Sequence, residues 1–330
     1  MVGSTTDSPR QVEPETLARL PEFYAPRLSP DGDELAFFHD KSGRMELYSI
    51  SLEEGEWNQW SNGNVPRDLS GNIEWGKDGN VIYFHQDEGG NEQNDIYAID
   101  RDGTTSPVVE IDGQARLCDV DRAGESLLYA SDEGDQLNVY HHNLKSDETL
   151  RITDHDDPVW PFSVSFSPDG NRIAYVTNER DDPQNRDVYV KNVDGETPRR
   201  LEIGEIGTEA AVVDWFPDGN RLLIGDNTKN YDRVGIYDLE SDDITWLSDG
   251  TAVERPGSVS PDGSLVAVGR TREAATVTGI YDVKTGEWSQ LDLPEGVTRL
   301  VGRFGGGFRD NSTLLLVHQT GSERKHIVQY

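Results

Sequence analysis

A tight turn that contains glycine recurs along the chain with a period of roughly 46 residues. The seven copies are residues 30–32, 77–79, 122–124, 168–170, 217–219, 261–263 and 309–311. Proline fixes φ at the second position of such a turn, aspartate accepts local hydrogen bonds, and glycine or asparagine tolerates positive φ. Each copy therefore predicts a hairpin between two antiparallel strands.

The segments around each turn also repeat. A short apolar run follows every turn, and such runs are typical of strands buried on both faces. The next strand carries a tyrosine, which we expect to pack between sheets: Tyr48, Tyr97, Tyr140, Tyr189, Tyr237, Tyr281 and Tyr330. A fourth strand with Trp, Leu or Ile completes most units. Four short strands per unit and a period in the forties predict an all-β, seven-bladed β-propeller of four-stranded antiparallel blades.

The repeats also predict the domain boundaries. Residues 1–24 form an N-terminal segment with a short helix, and residues 25–330 form the propeller. The blades are expected near 25–70, 71–113, 114–156, 159–205, 209–250, 253–294 and 298–330. The seventh unit ends at Tyr330, so we expect its blade to lack the outer strand. Either the N-terminal segment supplies a closing strand, or the chain is a piece of a longer protein.

The charge of the chain is strongly negative. Asp and Glu total 62 against 30 Lys and Arg, which gives a formal net charge of −32. Regularly spaced apolar strands argue against disorder, and a nucleic-acid partner needs a basic surface that this composition does not favour. High salt screens such self-repulsion, and lysine is scarce relative to arginine. We therefore expect a protein adapted to high salt, as in halophilic archaea.

The termini and the cysteine content bear on location. The N-terminus has no basic region followed by an apolar run, and no stretch approaches the ~18 apolar residues of a membrane span. A single cysteine, Cys118, allows no intrachain disulfide. We expect a cytoplasmic protein with no membrane partner, and a Cys118 that serves as a small core residue.

The familiar catalytic patterns are absent from the sequence. No Gly-x-Ser-x-Gly nucleophile elbow is present. His39, His85 and His318 share one position at the end of the second strand of their units, but packed sheets lie about 10 Å apart, too far for one metal ion. The acidic clusters lack calcium-loop spacing. We therefore expect no catalytic residue, metal or cofactor.

The loops between the second and third strands vary most in sequence. All such loops leave the same face of a propeller, and variable loops on a rigid scaffold are where binding usually resides. These loops include residues 86–95 and 178–187. From these loops Glu92, Asn94, Arg186 and Asp187 are the candidate binding residues.

Three features resemble known propellers. The Ser-Pro-Asp-Gly turns at 29–32, 167–170 and 260–263 are similar to the repeats of TolB-type propellers and of the propeller domain of prolyl oligopeptidase family serine peptidases. The opening at 15–32 resembles the start of acylaminoacyl-peptidase-like members of that family. The segment 89–97 resembles a Gly-Asn/Asp-Glu-Asn…Tyr segment that those members share.

The resemblance implies a function for the whole chain. In that family an α/β-hydrolase domain follows the propeller and carries the catalytic residues, while the propeller admits peptides and excludes folded proteins. This chain is then a non-catalytic, gating part, and its partner is the hydrolase domain. The alternative is a stand-alone TolB-like propeller that binds a peptide, protein or other ligand. An enzyme with its site in the central channel, such as a lyase or glycosidase, is a third possibility, which needs converging carboxylates or a metal set.

Overall fold

The computed structural model describes residues 23–330 except 67–71, 88, 181, 183, 196, 273–274 and 302–306. The predicted N-terminal helix lies outside the described residues. The strands form seven separate antiparallel sheets, six of four strands and one of three. The predicted all-β, seven-bladed propeller is thus confirmed, including the three-stranded seventh blade.

The strands follow one another through the blades in chain order. Blade 1 has β1 (Phe23–Leu28), β2 (Glu34–His39), β3 (Glu46–Ser51) and β4 (Trp57–Gln59). Blade 2 has β5 (Ile73–Trp75), β6 (Val81–Asp87), β7 (Asn94–Asp100) and β8 (Thr105–Val109). Blade 3 has β9 (Ala115–Val120), β10 (Ser126–Ser131), β11 (Asn138–Asn143) and β12 (Glu148–Arg151). Blade 4 has β13 (Ser165–Phe166), β14 (Arg172–Thr177), β15 (Asp187–Asn192) and β16 (Arg199–Arg200), preceded by the 3-10 helix Pro161–Ser163.

The last three blades continue the same order. Blade 5 has β17 (Ala210–Trp215), β18 (Arg221–Asp226), β19 (Arg233–Asp238) and β20 (Ile244–Trp246). Blade 6 has β21 (Val253–Val259), β22 (Leu265–Arg272), β23 (Ala275–Asp282) and β24 (Trp288–Gln290). Blade 7 has β25 (Val297–Leu300), β26 (Leu315–Gln319) and β27 (His326–Gln329). No helix among the described residues is long and apolar enough to cross a membrane.

The Ser-Pro-Asp-Gly sequence closes its turn through side chains. Ser167 Oγ donates to Asp169 Oδ1 at 2.6 Å and accepts from the Arg172 N–H at 3.0 Å. The Ser167 bond lowers the pKa of Asp169, which stays ionised and accepts the Asn171 N–H. Gly170 has φ +74°, a conformation that a side chain would strain. The same serine and aspartate bonds recur in blades 1 and 6.

The core is divided among the blade interfaces. Seven clusters of buried apolar side chains each join two neighbouring blades. Most are built from the second and third strands, because these central strands bury both faces while the outer strand stays exposed. Five of the seven repeated tyrosines are buried, Tyr97 is half-buried, and Tyr330 is exposed.

Blades 7 and 1 close the ring through side chains in the described part of the chain. Phe37 of blade 1 shares a buried cluster with Val301 and Leu315 of blade 7. Arg309 Nη2 lies 3.3 Å from Asp33 Oδ1 across the same interface. β1 is the first strand of blade 1, and blade 7 ends at β27 as an edge strand. Whether residues 1–22 add a strand to blade 7 lies outside the described residues.

Candidate functional site

The first strand of each blade places one residue at the same point, three residues before the first residue of its turn. These residues, here called the channel ring, are Arg27, Glu74, Asp119, Ser165, Asp214 and Ser258 from blades 1 to 6. The seventh position, residue 306, lies outside the described residues. In blades 1, 3, 5 and 6 the strand register shifts just before the ring residue. A β-bulge of this kind redirects the side chain that follows it.

The ring is charged on the side of blades 1 and 2. The Arg27 guanidinium contacts Glu74 Oε2 at 2.7 Å from Nη2 and 2.8 Å from Nε. Asn72 Nδ2 donates to Glu74 Oε1 at 2.8 Å. Both carboxylate oxygens of Glu74 are therefore engaged, and the ion pair ties blade 1 to blade 2.

Two aspartates connect further blades through backbone amides. Asp119 accepts the N–H of its neighbour Val120 at 2.9 Å and that of Phe166 in blade 4 at 2.8 Å. Asp214 accepts the N–H of Trp215 and that of Val259 in blade 6, both at 2.8 Å. Each aspartate thus joins adjacent first strands, and neither makes an ion pair with a cation among the described residues.

Burial disfavours the ionised form of the Glu74, Asp119 and Asp214 carboxyl groups. Burial raises the pKa of Asp214 to about 7, although its two amide bonds and the charges of Arg122 and Arg27 act in the opposite direction. Burial likewise raises the pKa of Glu74 and of Asp119, with Arg27 as the main opposing charge. These three carboxyl groups therefore titrate closer to neutral pH than the turn aspartates do. Raised carboxylate pKa values inside a cavity are typical of functional sites.

A cavity of about 490 Å³ opens at the turn end of the channel. Its wall includes five of the ring residues and the aromatic side chains of Trp75, Phe166, Trp215 and Phe308. Closer to the turns it is lined by three basic residues, Lys77, Arg122 and Arg309, which occupy the turn position where the other four blades have proline. A volume of this size suits a small molecule or a few residues of extended chain.

Two hydrogen-bonding groups in the cavity wall have no partner among the described residues. They are Ser165 Oγ and the Trp215 indole Nε1. Ser165 is 2% exposed and Trp215 is 5% exposed. Buried polar groups are normally satisfied by protein, water or ligand. Each of these two atoms exposes almost no surface, and neither is paired within the described residues.

The candidate residues of the loop face lie away from this cavity. Glu92 is exposed at φ +61° in the loop between β6 and β7, and its N–H donates to Asp87 Oδ2 at 3.2 Å. Asn94 begins β7, and its Nδ2 reaches the Glu92 carbonyl at 3.4 Å. Both residues sit at the opposite end of their blade from the turns, and their proposed role in binding stays a prediction.

The two candidates of blade 4 have different surroundings. The Arg186 guanidinium stacks 3.8 Å from the ring centre of the half-exposed Trp160 and lies 3.2 Å from Glu209. Asp187 is 2% exposed and is held by Arg180 at 3.1 Å and Asn185 at 2.8 Å. Arg186 and Trp160 thus present a surface at the loop face, while Asp187 ties its loop together. Glu92 and Asn94 belong to a different blade.

The histidine column has structural partners. His85 is buried, accepts the Leu117 N–H, and has its pKa lowered to about 4 by burial. His318 Nδ1 contacts Thr298 Oγ1 at 2.9 Å. Among the described residues no group of three or more His, Cys, Asp or Glu is arranged to hold a metal ion. Cys118, which is buried, is the extra residue of the bulge before Asp119, and burial raises its pKa.

The sequence analysis did not identify the channel ring. The signal was nevertheless present, because aligning the seven turns places Arg27, Glu74, Asp119 and Asp214 in one column between apolar neighbours. A charged residue inside a short apolar strand is unusual unless it is paired or functional. The unpartnered state of Ser165 and Trp215 has no such signal, since it depends on contacts between blades.

A family model and a curated relative match the sequence. The model described as PD40, TolB beta propeller domain, matches residues 118–299. The uncharacterized peptidase YuxL of Bacillus subtilis (strain 168) is 31% identical over 173 residues. That match covers 50% of this chain and 24% of the relative. The chain thus corresponds to only part of that relative.

The solved structures share the fold at low identity. A prolyl endopeptidase superposes with a TM-score of 0.72 at 15% identity, over 94% of this chain and 48% of that one. An oligogalacturonate lyase in complex with manganese gives 0.70 at 14%, over 93% and 88%. The β-propeller domain of the Trilobed protease from Pyrococcus furiosus, described as having an open velcro topology, gives 0.68 at 14%, over 94% and 96%.

Proposed function

We propose that this chain, which belongs to the TolB β-propeller family, is the non-catalytic propeller of a prolyl oligopeptidase family serine peptidase. In this role it gates the access of peptides to an α/β-hydrolase domain. The observation that carries the proposal is the polar cavity in the channel. The similarity to a curated peptidase also supports it. Because the match covers only about a quarter of that peptidase, this chain corresponds to one part of it.

In this proposal the volume of the cavity limits the size of the substrates that can pass through the propeller. Its volume of about 490 Å³ lies in the range of small-ligand pockets and is far smaller than any folded domain. The ion pair of Arg27 with Glu74 and the amide bonds of Asp119 and Asp214 hold neighbouring first strands together around it. A rigid ring with this opening passes an extended peptide and excludes a folded substrate.

The surface charge supports a second part of the proposal, adaptation to high salt. A net charge of −32 repels itself strongly in dilute buffer, whereas at about 1 M salt the Debye length falls to ~3 Å. The described acidic side chains outside the ring are mostly exposed. They serve solubility and hydration under those conditions, as expected for a halophilic source.

A second candidate function is a stand-alone binding propeller. The observation that favours it is the lyase comparison, in which a chain of similar extent makes up 88% of the solved structure. In that case the same cavity is the ligand site, and no hydrolase is needed. The lyase chemistry itself gains no support, since the described residues offer no metal-binding group.

The coding sequence separates the two candidates. If the gating proposal is correct, the reading frame continues after Tyr330 into an α/β-hydrolase with a Gly-x-Ser-x-Gly nucleophile elbow. A stop codon at that point argues for the stand-alone propeller. When the hydrolase is present, its activity on a short chromogenic peptide gives the baseline for the tests below.

A further inference from the structure

Another cavity lies between blades 4 and 5 at the turn end of the propeller, and its volume is about 430 Å³. Strands β14, β15 and β16 of blade 4 contribute residues at or next to their turn ends. Blade 5 contributes the residues just outside β18 and β19. The first strands, which line the channel, contribute none of its described wall. We call this cavity the blade 4–5 groove.

The charge of the groove is opposite to that of the whole chain. Of the described residues in its wall, Arg172, Lys191 and Arg199 are cations and Glu240 alone carries a carboxylate. Three cations and one carboxylate give the wall a formal charge of +2, in a chain whose net charge is −32. A positive wall on such a chain is the reverse of what adaptation of the surface to high salt explains. The groove therefore favours an anion.

Two guanidinium groups of blade 4 reach neighbouring points of blade 5. Arg172 Nη2 donates to Asn220 Oδ1 at 3.3 Å and also to the Gly219 carbonyl. Arg199 Nη1 donates to the Leu239 carbonyl at 3.0 Å. The Leu239 N–H in turn donates to the Asn220 carbonyl at 2.9 Å. Both arginine side chains thus end at one hydrogen-bonded pair of residues, which itself lines the groove.

Arg172 keeps hydrogen-bonding capacity for a ligand. Within the described part of the chain, its Nε and Nη1 groups make no hydrogen bond, and no carboxylate is bonded to it. Arg221, which holds the same repeat position in blade 5, is by contrast paired with Asp218 at 2.7 Å. Arg199 is likewise bonded to Asp242, an exposed aspartate. Arg172 is therefore the residue of this wall best placed to bind an anion.

The rest of the wall suits the other parts of a small ligand. Lys191 is 8% exposed, and its Nζ donates to the neutral carbonyl of Asn192 at 3.1 Å. Val190 and Leu239 are buried apolar residues of the same wall. A volume of about 430 Å³ lies in the range of small-molecule sites. The groove thus has room for an anionic group together with an organic part.

We propose that the blade 4–5 groove binds a small phosphate monoester. Arg172 donates to the phosphoryl oxygens, Lys191 and Arg199 add positive charge, and Val190 and Leu239 contact the organic part. A phosphate monoester carries a charge of about −1.5 to −2 at pH 7 and three acceptor oxygens, which matches the wall charge of +2. A sulfate ester carries a single charge. This inference is independent of the gating function, because the groove lies outside the channel.

The test is isothermal titration calorimetry of the complete 330-residue chain with three probes in about 0.1 M KCl at pH 7.5. Phenyl phosphate is the model ester, phenyl sulfate keeps the ring with a single charge, and inorganic phosphate lacks the organic part. We expect phenyl phosphate to bind at least about tenfold more tightly than phenyl sulfate. Inorganic phosphate should bind severalfold more weakly than the ester, because it leaves Val190 and Leu239 uncovered.

Two arginine variants give a matched pair. Arg172→Gln and Arg221→Gln remove the same charge from the first residue of the second strand, in blade 4 and in blade 5. We expect Arg172→Gln to weaken phenyl phosphate binding about tenfold or more, because a charge-assisted hydrogen bond is lost. Arg221→Gln should leave it within about twofold, since Arg221 does not line the groove. Melting curves check that each variant is folded.

A lysine pair repeats the test if Arg172→Gln does not fold. Lys191→Met keeps the apolar stem of the side chain and removes its charge from the groove wall. Lys145→Met removes the charge of an exposed lysine, which is paired with Glu125 in blade 3. We expect only Lys191→Met to weaken phenyl phosphate binding, by severalfold.

A further variant separates the groove from the channel. The channel cavity also has basic residues at its turn end, but there they share the wall with the ring carboxylates Glu74, Asp119 and Asp214. Arg122→Gln removes one of those cations. Loss of phenyl phosphate binding in Arg122→Gln, with full binding in Arg172→Gln, places the ligand in the channel and overturns the inference.

The remaining outcomes are equally decisive. Tight binding of phenyl phosphate that depends on Arg172 or Lys191 supports the inference. Equal binding of phenyl sulfate overturns it, because the groove then attracts any anion without selecting a doubly charged one. Inorganic phosphate that binds as tightly as the ester overturns the role of the organic part. No measurable binding of any probe also overturns it, and the gating function is unaffected in each case.

Discussion

At the scale of single residues, the channel ring combines structural and functional properties. Asp119 and Asp214 hold neighbouring blades through backbone amides, and the same burial raises their pKa values. A purely structural link could have used a neutral side chain at lower cost, because a buried carboxylate without a bonded cation is expensive. The presence of acidic side chains at these buried positions is the strongest residue-level argument for a ligand in this cavity.

The titration of Asp214 predicts a pH effect on stability. Its folded pKa of about 7 exceeds the ordinary value of 3.8, so the folded state holds the proton more tightly and stability falls as pH rises from about 4 to 7. The maximum effect is about 4 kcal/mol at about 1.4 kcal/mol per pKa unit. Thermal melts of wild type and Asp214→Asn between pH 5 and 8 measure it.

The comparison of the two proteins removes other titrating groups. His85, whose pKa burial lowers, changes stability in the opposite direction below about pH 6.5, but it does so equally in both proteins. We expect the melting temperature of Asp214→Asn minus that of wild type to rise with pH. A difference that stays constant over this range contradicts a raised pKa at Asp214.

At the scale of elements, the turn and the bulge set the geometry of each blade. The Ser-Pro-Asp-Gly turn positions the second strand, and the bulge in the first strand aims the ring residue inward. At both features a glycine occupies a position where a larger side chain would be strained or would overlap a neighbour. Substitutions at these points therefore test the local structure independently of any ligand.

The turn serine predicts a measurable contribution to stability. Ser167→Ala removes the acceptor for the Arg172 N–H and the donor to Asp169, so we expect a loss of about 1–2 kcal/mol in the free energy of unfolding. Urea unfolding of this variant and of Ser146→Ala, an exposed serine of the β11–β12 turn, provides the comparison. Equal midpoints for the two variants contradict a structural role for the turn serine.

The bulge of β21 gives a stronger effect. A methyl group on Gly257 overlaps with the Leu300 side chain of blade 7 and lies 2.7 Å from the Ala267 carbonyl oxygen. Gly257→Ala should therefore destabilise the protein by about 2 kcal/mol or more. Gly269→Ala in β22 meets only an ordinary contact at 3.8 Å and serves as the control. If both variants unfold at the same urea concentration, blades 6 and 7 do not pack as described.

The sequence predicts elements far better than it predicts the site. Turn chemistry and apolar runs are local, so residues such as Pro168, Asp169 and Gly170 are enough to predict a hairpin. The direction of Asp214 depends on the extra residue Val213 in its strand, and a bulge changes the alternation of faces without a clear local signal. The cavity needs seven blades in register, and its unpartnered Ser165 depends on contacts that no single repeat contains.

At the scale of the whole molecule, the repeats form a ring whose interfaces are apolar and whose surface is acidic. Seven buried clusters hold seven blade interfaces, and the interface between blades 7 and 1 relies on side chains such as Phe37 and Leu315 in the described part of the chain. Self-repulsion of the surface acts against all of these interfaces at once. Stability of the ring should therefore depend on ionic strength.

The proposed adaptation to high salt predicts the sign of that dependence. Raising KCl from about 0.1 M to about 1 M shortens the Debye length from ~10 Å to ~3 Å, and we expect the melting temperature to rise by about 5 °C or more. NaCl should act equally, because the effect is screening by ions. A melting temperature that does not change over this range would contradict the proposed adaptation.

The most direct test of the proposed gating function is the size selectivity of the full-length peptidase that the proposal predicts. Its hydrolysis of a short peptide is compared with hydrolysis of the same sequence held in an exposed loop of a stable folded protein, with the separated hydrolase domain as control. The proposed gate predicts that the intact enzyme cleaves the free peptide at least about a hundredfold faster, and that the ratio falls when the propeller is removed. Equal cleavage of the two substrates by the intact enzyme would contradict a propeller that filters by size.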